Sequence, residues 1–369
     1  MYFVHLAPAR ITARFAPPVL VRHLNSPERP IMQHGLLRYV GFFPNPNYID
    51  GLNRHNSLGF RGKEIVLPKP SGEFRIACLG GSTTYCAGVE DPQQTYPARL
   101  EHELQSRGYS ATVINAGGCL YTSYESLINY ALRYSYLDLD MIIIYHGIND
   151  MIARIVWPPA AFKSDNSGFR PPYGSKADFP LIFHRLCLLW TVPNMFGASL
   201  EADPWDCLAE NARFQEWYEW KMGGAQGIFK DVTLQEILNT NRPVFFERNL
   251  KHLVDMANGD HIRVVLVTFV HDRLCAKQPF VSADEIQQGY EEMNDVVRRV
   301  AAQTKSPLFD AAREYPVNER YLCGDGIHFN EEGTALHAHL IADFLDAQGV
   351  IPEAHQISFP AGQASESPK

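Results

Sequence analysis

The chain is 369 residues long, 46% hydrophobic and 20% charged, the balance of a globular protein with room for a large core. Its net charge of −8 argues against a nucleic-acid partner, which calls for a basic face. No apolar run reaches the ~18 residues that span a bilayer. Residues 1–21 mix His5, Arg10 and Arg14 with Pro8, Pro17 and Pro18, unlike the apolar core of a secretory signal. A cytoplasmic protein is therefore expected. The cysteines (Cys78, Cys86, Cys119, Cys187, Cys207, Cys275 and Cys323) agree with reduced thiols: no pair has CxxC spacing, so neither a zinc site nor a redox motif is indicated.

Residues 1–73 are rich in proline, asparagine and arginine and have little periodicity. They read as an N-terminal extension wrapping the core. Within them Asn56-Ser57-Leu58-Gly59-Phe60-Arg61-Gly62 is turn-rich, either a structural loop or a piece whose Arg61 lines a site.

From residue 74 to about 355, strands and helices alternate. Residues 74–79 form an apolar strand that breaks into Gly80-Gly81-Ser82, and Thr95 and Pro97 open a helix with Leu100 and Leu104 on one face. Residues 112–115 are a second strand, after which Ser123 caps a helix carrying Leu127, Ala131 and Tyr134. The run 141–145 has the continuous apolar character of a strand buried on both faces. Past the insertion described below come a helix around 242–257, a strand over 262–269, and a helix opened by a Ser282/Glu285 capping box. A short strand at 307–309 follows, then a last helix capped by Asn330. This alternation predicts a doubly wound α/β sheet. Residues 151–240, with paired prolines and Trp190, Trp205, Trp217 and Trp220, are too long for a connection and read as an inserted, mainly helical or loop subdomain. Residues 356–369 are polar and are expected to be disordered.

Ser82 follows a strand at a Gly-Gly turn, where a hydroxyl and backbone N–H groups can be presented at the carboxyl edge of the sheet. A serine hydroxyl needs a base, and His328 lies three residues after Asp325 in a glycine-flanked turn before the last helix. The carboxylate could orient the imidazole and stabilise its cation. Gly147-Ile148-Asn149-Asp150 follows strand 141–145, so the Asn149 amide reaches the same edge, where it can donate to an oxyanion; His146 and Asp150 read as supporting residues. Residues 115–120 form a glycine-containing turn whose backbone N–H groups can complete that hole.

Together and in this order these stretches resemble the four blocks of the SGNH (GDSL-type) hydrolase family. The resemblance covers roughly 74–150 and 260–345. It implies a flavodoxin-like α/β/α sandwich and hydrolysis of carboxylic esters of a small-molecule, glycan or lipid substrate. It assigns Ser82, His328 and Asp325 as catalytic, with an oxyanion hole from Ser82, Asn149 and either Leu120 or Gly118, and needs no metal or organic cofactor. Two positions depart from the family. Gly81 stands where an aspartate is usual, and Leu120 stands at the usual second-block glycine. An O-acyltransferase acting on a carbohydrate would use the same site. A non-catalytic binding module would have no need of all four polar side chains, and a phosphate-binding loop lacks its lysine.

Overall fold

The protein, a computed structural model, is described over residues 32–34, 42–155, 233–272, 283–316, 318, 320–352 and 355. Most of the expected insertion, the tail 356–369 and the Ser282/Glu285 cap lie outside these residues. Ahead of the main sheet come two antiparallel pairs, β1 (Met32–His34) with β2 (Phe42–Pro44) and β3 (Ile49–Asp50) with β4 (Asn53–Arg54).

The main sheet contains β5 (Phe74–Gly80), β6 (Ala111–Gly117), β7 (Met141–Tyr145), β8 (Arg263–Val267) and β9 (Leu308–Phe309). These five run parallel in the order β6-β5-β7-β8-β9. In order of appearance that is 2-1-3-4-5, the flavodoxin-like winding, which places a crevice at the carboxyl ends where the chain leaves β5 for one side and returns on the other. Every residue of β5 and β7 is buried, as a strand covered by helices on both faces must be.

The helices are α1 (Ser82–Tyr85), α2 (Tyr96–Ser106), α3 (Ser123–Leu132), α4 (Ile148–Ile155), α5 (Leu234–Thr240), α6 (Val244–Gly259), α7 (Ala283–Thr304), α8 (Ala311–Glu314) and α9 (Glu331–Gln348). Helix α2 packs on α9, and α6 lies against both α3 and α7, which gives the three-layer α/β arrangement. Local signals set the helix starts. Thr95 and Asn330 cap α2 and α9 as expected, their side chains accepting from the Ala98 and Gly333 N–H groups. The cap of α3 is Thr122 rather than Ser123. Thr122 and Glu125 form a reciprocal capping box, which frees the Ser123 side chain for a partner elsewhere.

The strand ends are level. Gly80 pairs with Gly117 and with Tyr145, and Tyr145 pairs with Val267, so the loops after four strands leave from one row. Ser82, the 115–120 turn and Asn149 therefore follow strands that end at one edge.

Candidate active site

The nucleophile candidate sits where β5 turns directly into α1. A Cβ at Gly80 would collide with Thr84 and the Tyr145 carbonyl, and one at Gly117 with the backbone of Thr84 and Tyr85. The two glycines let α1 lie directly on the strand ends. Behind it, Arg61 is buried and spends all its donors. Nη1 donates to the carbonyls of Tyr85 (2.6 Å) and Cys86 (2.7 Å), Nη2 to those of Val89 (2.7 Å) and Glu90 (2.8 Å), and Nε to Asn53 Oδ1 (2.9 Å). Its guanidinium also lies 4.5 Å from the centre of the Tyr85 ring. The structural reading of the Asn56–Gly62 stretch is the right one: Arg61 fastens the segment after Ser82 rather than lining the site.

Asp325 and His328 occupy a loop closed by the Cys323 N–H on the His328 carbonyl (2.7 Å) and the Gly326 N–H on the Cys323 carbonyl (2.9 Å). The Asp272 N–H, beyond β8, ties this loop to the sheet through the Gly326 carbonyl at 2.8 Å. Asp325 Oδ1 accepts the N–H groups of Ile327 and His328, both at 3.0 Å, and its Oδ2 lies 2.6 Å from His328 Nδ1. On the far side of the ring, His328 Nε2 is 2.8 Å from Ser82 Oγ. Partial burial pushes the Asp325 carboxyl upward, but hydrogen bonds from the His328 ring and from the His328 and Ile327 N–H groups outweigh it and hold the pKa at about 2. An ionised Asp325 keeps the Nδ1 proton on its own side, which leaves Nε2 free to accept from the serine hydroxyl.

The turn after β6 separates the two oxyanion candidates. The Gly118 N–H is already given to the Gly80 carbonyl at 3.1 Å, which removes it as a donor to substrate. The Leu120 N–H has no partner among the described residues. The Tyr121 N–H closes the turn on the Gly118 carbonyl (3.1 Å) and puts Leu120 at its third position with φ of +66°, where glycine or asparagine is usual. A residue with a β-carbon is strained there by roughly 1–2 kcal/mol. Asn149 Nδ2 donates to the Tyr121 carbonyl at 2.8 Å, and a β-carbon at Gly81 would stand 2.7 Å from the same nitrogen. One amide proton is thus anchored and the group lies against the backbone just before Ser82. The absence of a side chain at Gly81 makes room for it.

His146 and Asp150 belong to a second, buried cluster. His146 Nε2 is 2.8 Å from Ser126 Oγ, and its Nδ1 is 3.7 Å from Asp150 Oδ2. Asp150 takes the N–H of Ser123 at 3.0 Å and its hydroxyl at 2.5 Å, and Asn249 donates to that hydroxyl at 3.0 Å. This ties α4 to the start of α3. Burial lowers the His146 pKa to about 3 and raises that of Asp150 to about 7. Both shifts favour neutral forms, so the 3.7 Å contact is not an ion pair. The roles of Arg61, Ser126 and the Tyr121 carbonyl have no sequence signature, because each depends on a partner far along the chain. Among the described residues no group of three or more His, Cys, Asp or Glu side chains could hold a metal ion, and no helix is long and apolar enough to cross a membrane.

A parallel 2-1-3-4-5 sheet with a serine, a histidine and an aspartate in line at its carboxyl edge defines an α/β protein built like a hydrolase. The profile of the GDSL-like Lipase/Acylhydrolase family matches residues 78–336, more than half of the chain, and the chain belongs to that family. Similar solved structures include a lipase/acylhydrolase from Enterococcus faecalis (17% identity, 74% of this chain and 96% of the other, TM-score 0.43). An acetylxylan esterase from Geobacillus stearothermophilus is similar at 16% identity (74% and 94% covered, TM-score 0.42). A GDSL-like lipase from Bacteroides thetaiotaomicron is similar at 13% identity (74% and 88% covered, TM-score 0.40). No curated protein matches the sequence.

Proposed function

We propose that the protein hydrolyses carboxylic esters through an acyl-enzyme on Ser82. The observation that carries this reading is the unbroken line from Ser82 Oγ to His328 Nε2 at 2.8 Å and from His328 Nδ1 to Asp325 Oδ2 at 2.6 Å. His328 removes the hydroxyl proton as Ser82 Oγ attacks the acyl carbon, and the ionised Asp325 stabilises the imidazolium. The oxyanion of the tetrahedral intermediate is received by the N–H groups of Ser82 and Leu120 and by the second proton of the Asn149 amide. One such donor typically lowers a barrier by about 3–4 kcal/mol. As the C–O bond breaks, His328 returns its proton to the leaving alcohol. Water then repeats the sequence on the acyl-enzyme, with His328 again as base, releasing the acid and restoring Ser82.

Asp325 remains ionised until about pH 2, so its titration supplies no acid limb to activity near neutrality. The test is hydrolysis of short p-nitrophenyl esters by the purified chain and by His328→Ala. Turnover by the parent that is abolished in the variant is expected; full turnover in the variant would refute the mechanism.

A further inference from the structure

Leu120 is strained and uncovered at once. Its backbone is left-handed, the residue is 41% exposed, and it is not among the apolar residues packed on the core. Both neighbours in the turn are buried more deeply: Cys119 is intermediate and Tyr121 fully enclosed. Glycine or asparagine would make the same turn without the strain. Among the described residues a leucine here gains the fold no favourable backbone conformation and is not packed on the core. Strained backbone that the fold does not reward is characteristic of residues kept for a function.

Its position says which function. The next residue's carbonyl holds the Asn149 amide at 2.8 Å, and the same carbonyl lies 3.0 Å from where a Gly81 β-carbon would stand, one residue from Ser82. Leu120 thus stands at the rim of the proposed oxyanion hole. The leaving alcohol has to lie beside His328, the group that protonates it, so the acyl substituent is left to the side of the oxyanion turn. Tyr124, in the first turn of α3, is a second apolar side chain that stays 36% exposed nearby in the chain.

Resting on the ester-hydrolase reading, we propose that Leu120 determines acyl specificity. Its isobutyl group forms one wall of the acyl subsite, and the favoured esters carry an alkyl acyl chain of several carbons rather than acetyl. A contact of this size in an apolar subsite changes selectivity by about tenfold or more.

The test compares kcat/KM for p-nitrophenyl hexanoate with that for p-nitrophenyl acetate in the parent, Leu120→Gly and Leu120→Asn. Glycine keeps the N–H and removes the strain; asparagine tolerates the left-handed backbone and keeps similar bulk, but is polar. The parent should favour hexanoate. The hexanoate-to-acetate ratio should fall about tenfold in both variants, and both should melt at a higher temperature than the parent. A parent without that preference, or a ratio unchanged in both variants, overturns the proposal. So does a shift confined to acetyl esters of lengthening alcohols, which would put Leu120 on the leaving-group side. If the parent cleaves none of these esters and a fluorophosphonate leaves Ser82 unlabelled, the hydrolase reading itself falls and this proposal with it. Labelling of Ser82 with an unchanged ratio refutes only the role of Leu120.

Discussion

Among the described residues two serine–histidine–aspartate clusters stand within one fold, and they differ in carboxylate distance, burial and charge. In Ser82–His328–Asp325 the imidazole bridges its partners at 2.8 and 2.6 Å, and the Asp325 side chain is 48% exposed. In Ser126–His146–Asp150 the imidazole meets the serine at 2.8 Å but the carboxylate only at 3.7 Å, and all three residues are buried. The environment sets the charge. Hydrogen bonds to the charged form outweigh burial at Asp325 and hold it at about 2, whereas burial dominates at Asp150 and lifts it to about 7. A His146 held at about 3 by burial is a poor proton acceptor. In the proposed mechanism only the first cluster, whose carboxylate is held ionised and whose serine a substrate can reach, would relay a proton. The buried set reads as a fastening between α3 and α4.

The largest test of this contrast is Ser82→Ala, for which we expect ester turnover to fall by roughly 10⁴- to 10⁶-fold with the fold intact by circular dichroism. Asn149→Ala should come next, lowering kcat by about 10²–10³-fold with a smaller change in KM, because in the proposed mechanism its second proton serves only the oxyanion. A KM rise at constant kcat would instead make Asn149 a ground-state contact. The two aspartates should then give opposite pH dependences of stability. Asp325 is depressed from its ordinary 3.8 to about 2, so its contribution is complete above about pH 4 and is lost as pH falls toward 2. Asp150 is raised from 3.8 to about 7, so its contribution is complete below about pH 4 and is lost as pH rises through 7. Melting curves from pH 2 to 8 should show Asp325→Asn altering only the acid side and Asp150→Asn flattening the decline toward neutrality. The smallest effect belongs to Ser126→Ala, which should lower stability by about 1 kcal/mol in a urea titration and leave kcat/KM unchanged.

Much of the fold was legible because its signals are local. The apolar run 141–145 became β7 with the same bounds, and Asn330 caps its helix as read. Strand ends moved by a residue or two where pairing outlasts the apolar pattern, as in Ala111–Gly117 against 112–115. The cap at Ser123 was misplaced by one residue, although the Thr122/Glu125 spacing of a capping box was present. Helix α5 falls inside the stretch read as an inserted, mainly helical or loop subdomain, without bounds of its own. At the candidate site, Ser82, Asp325 and His328 stand out in the sequence because each lies at a glycine-marked turn beside a recognisable element, and the structure brings their side chains within hydrogen-bond distance. The choice between Leu120 and Gly118 was not readable. It depends on whether a single N–H is free, and that is fixed by the Gly80 carbonyl, on a neighbouring strand. Arg61 was equally opaque, since four of its five bonds go to backbone carbonyls, which carry no residue-type signal.

The claim that chemistry belongs to the first cluster and not the second is tested most directly by covalent labelling. The parent chain, Ser82→Ala and Ser126→Ala would each be treated with a fluorophosphonate and weighed intact by mass spectrometry, and the adduct located by peptide mapping. One adduct per chain on Ser82 is expected in the parent and in Ser126→Ala, with none in Ser82→Ala. Stoichiometric labelling that survives Ser82→Ala, or disappears in a folded Ser126→Ala, would contradict the account.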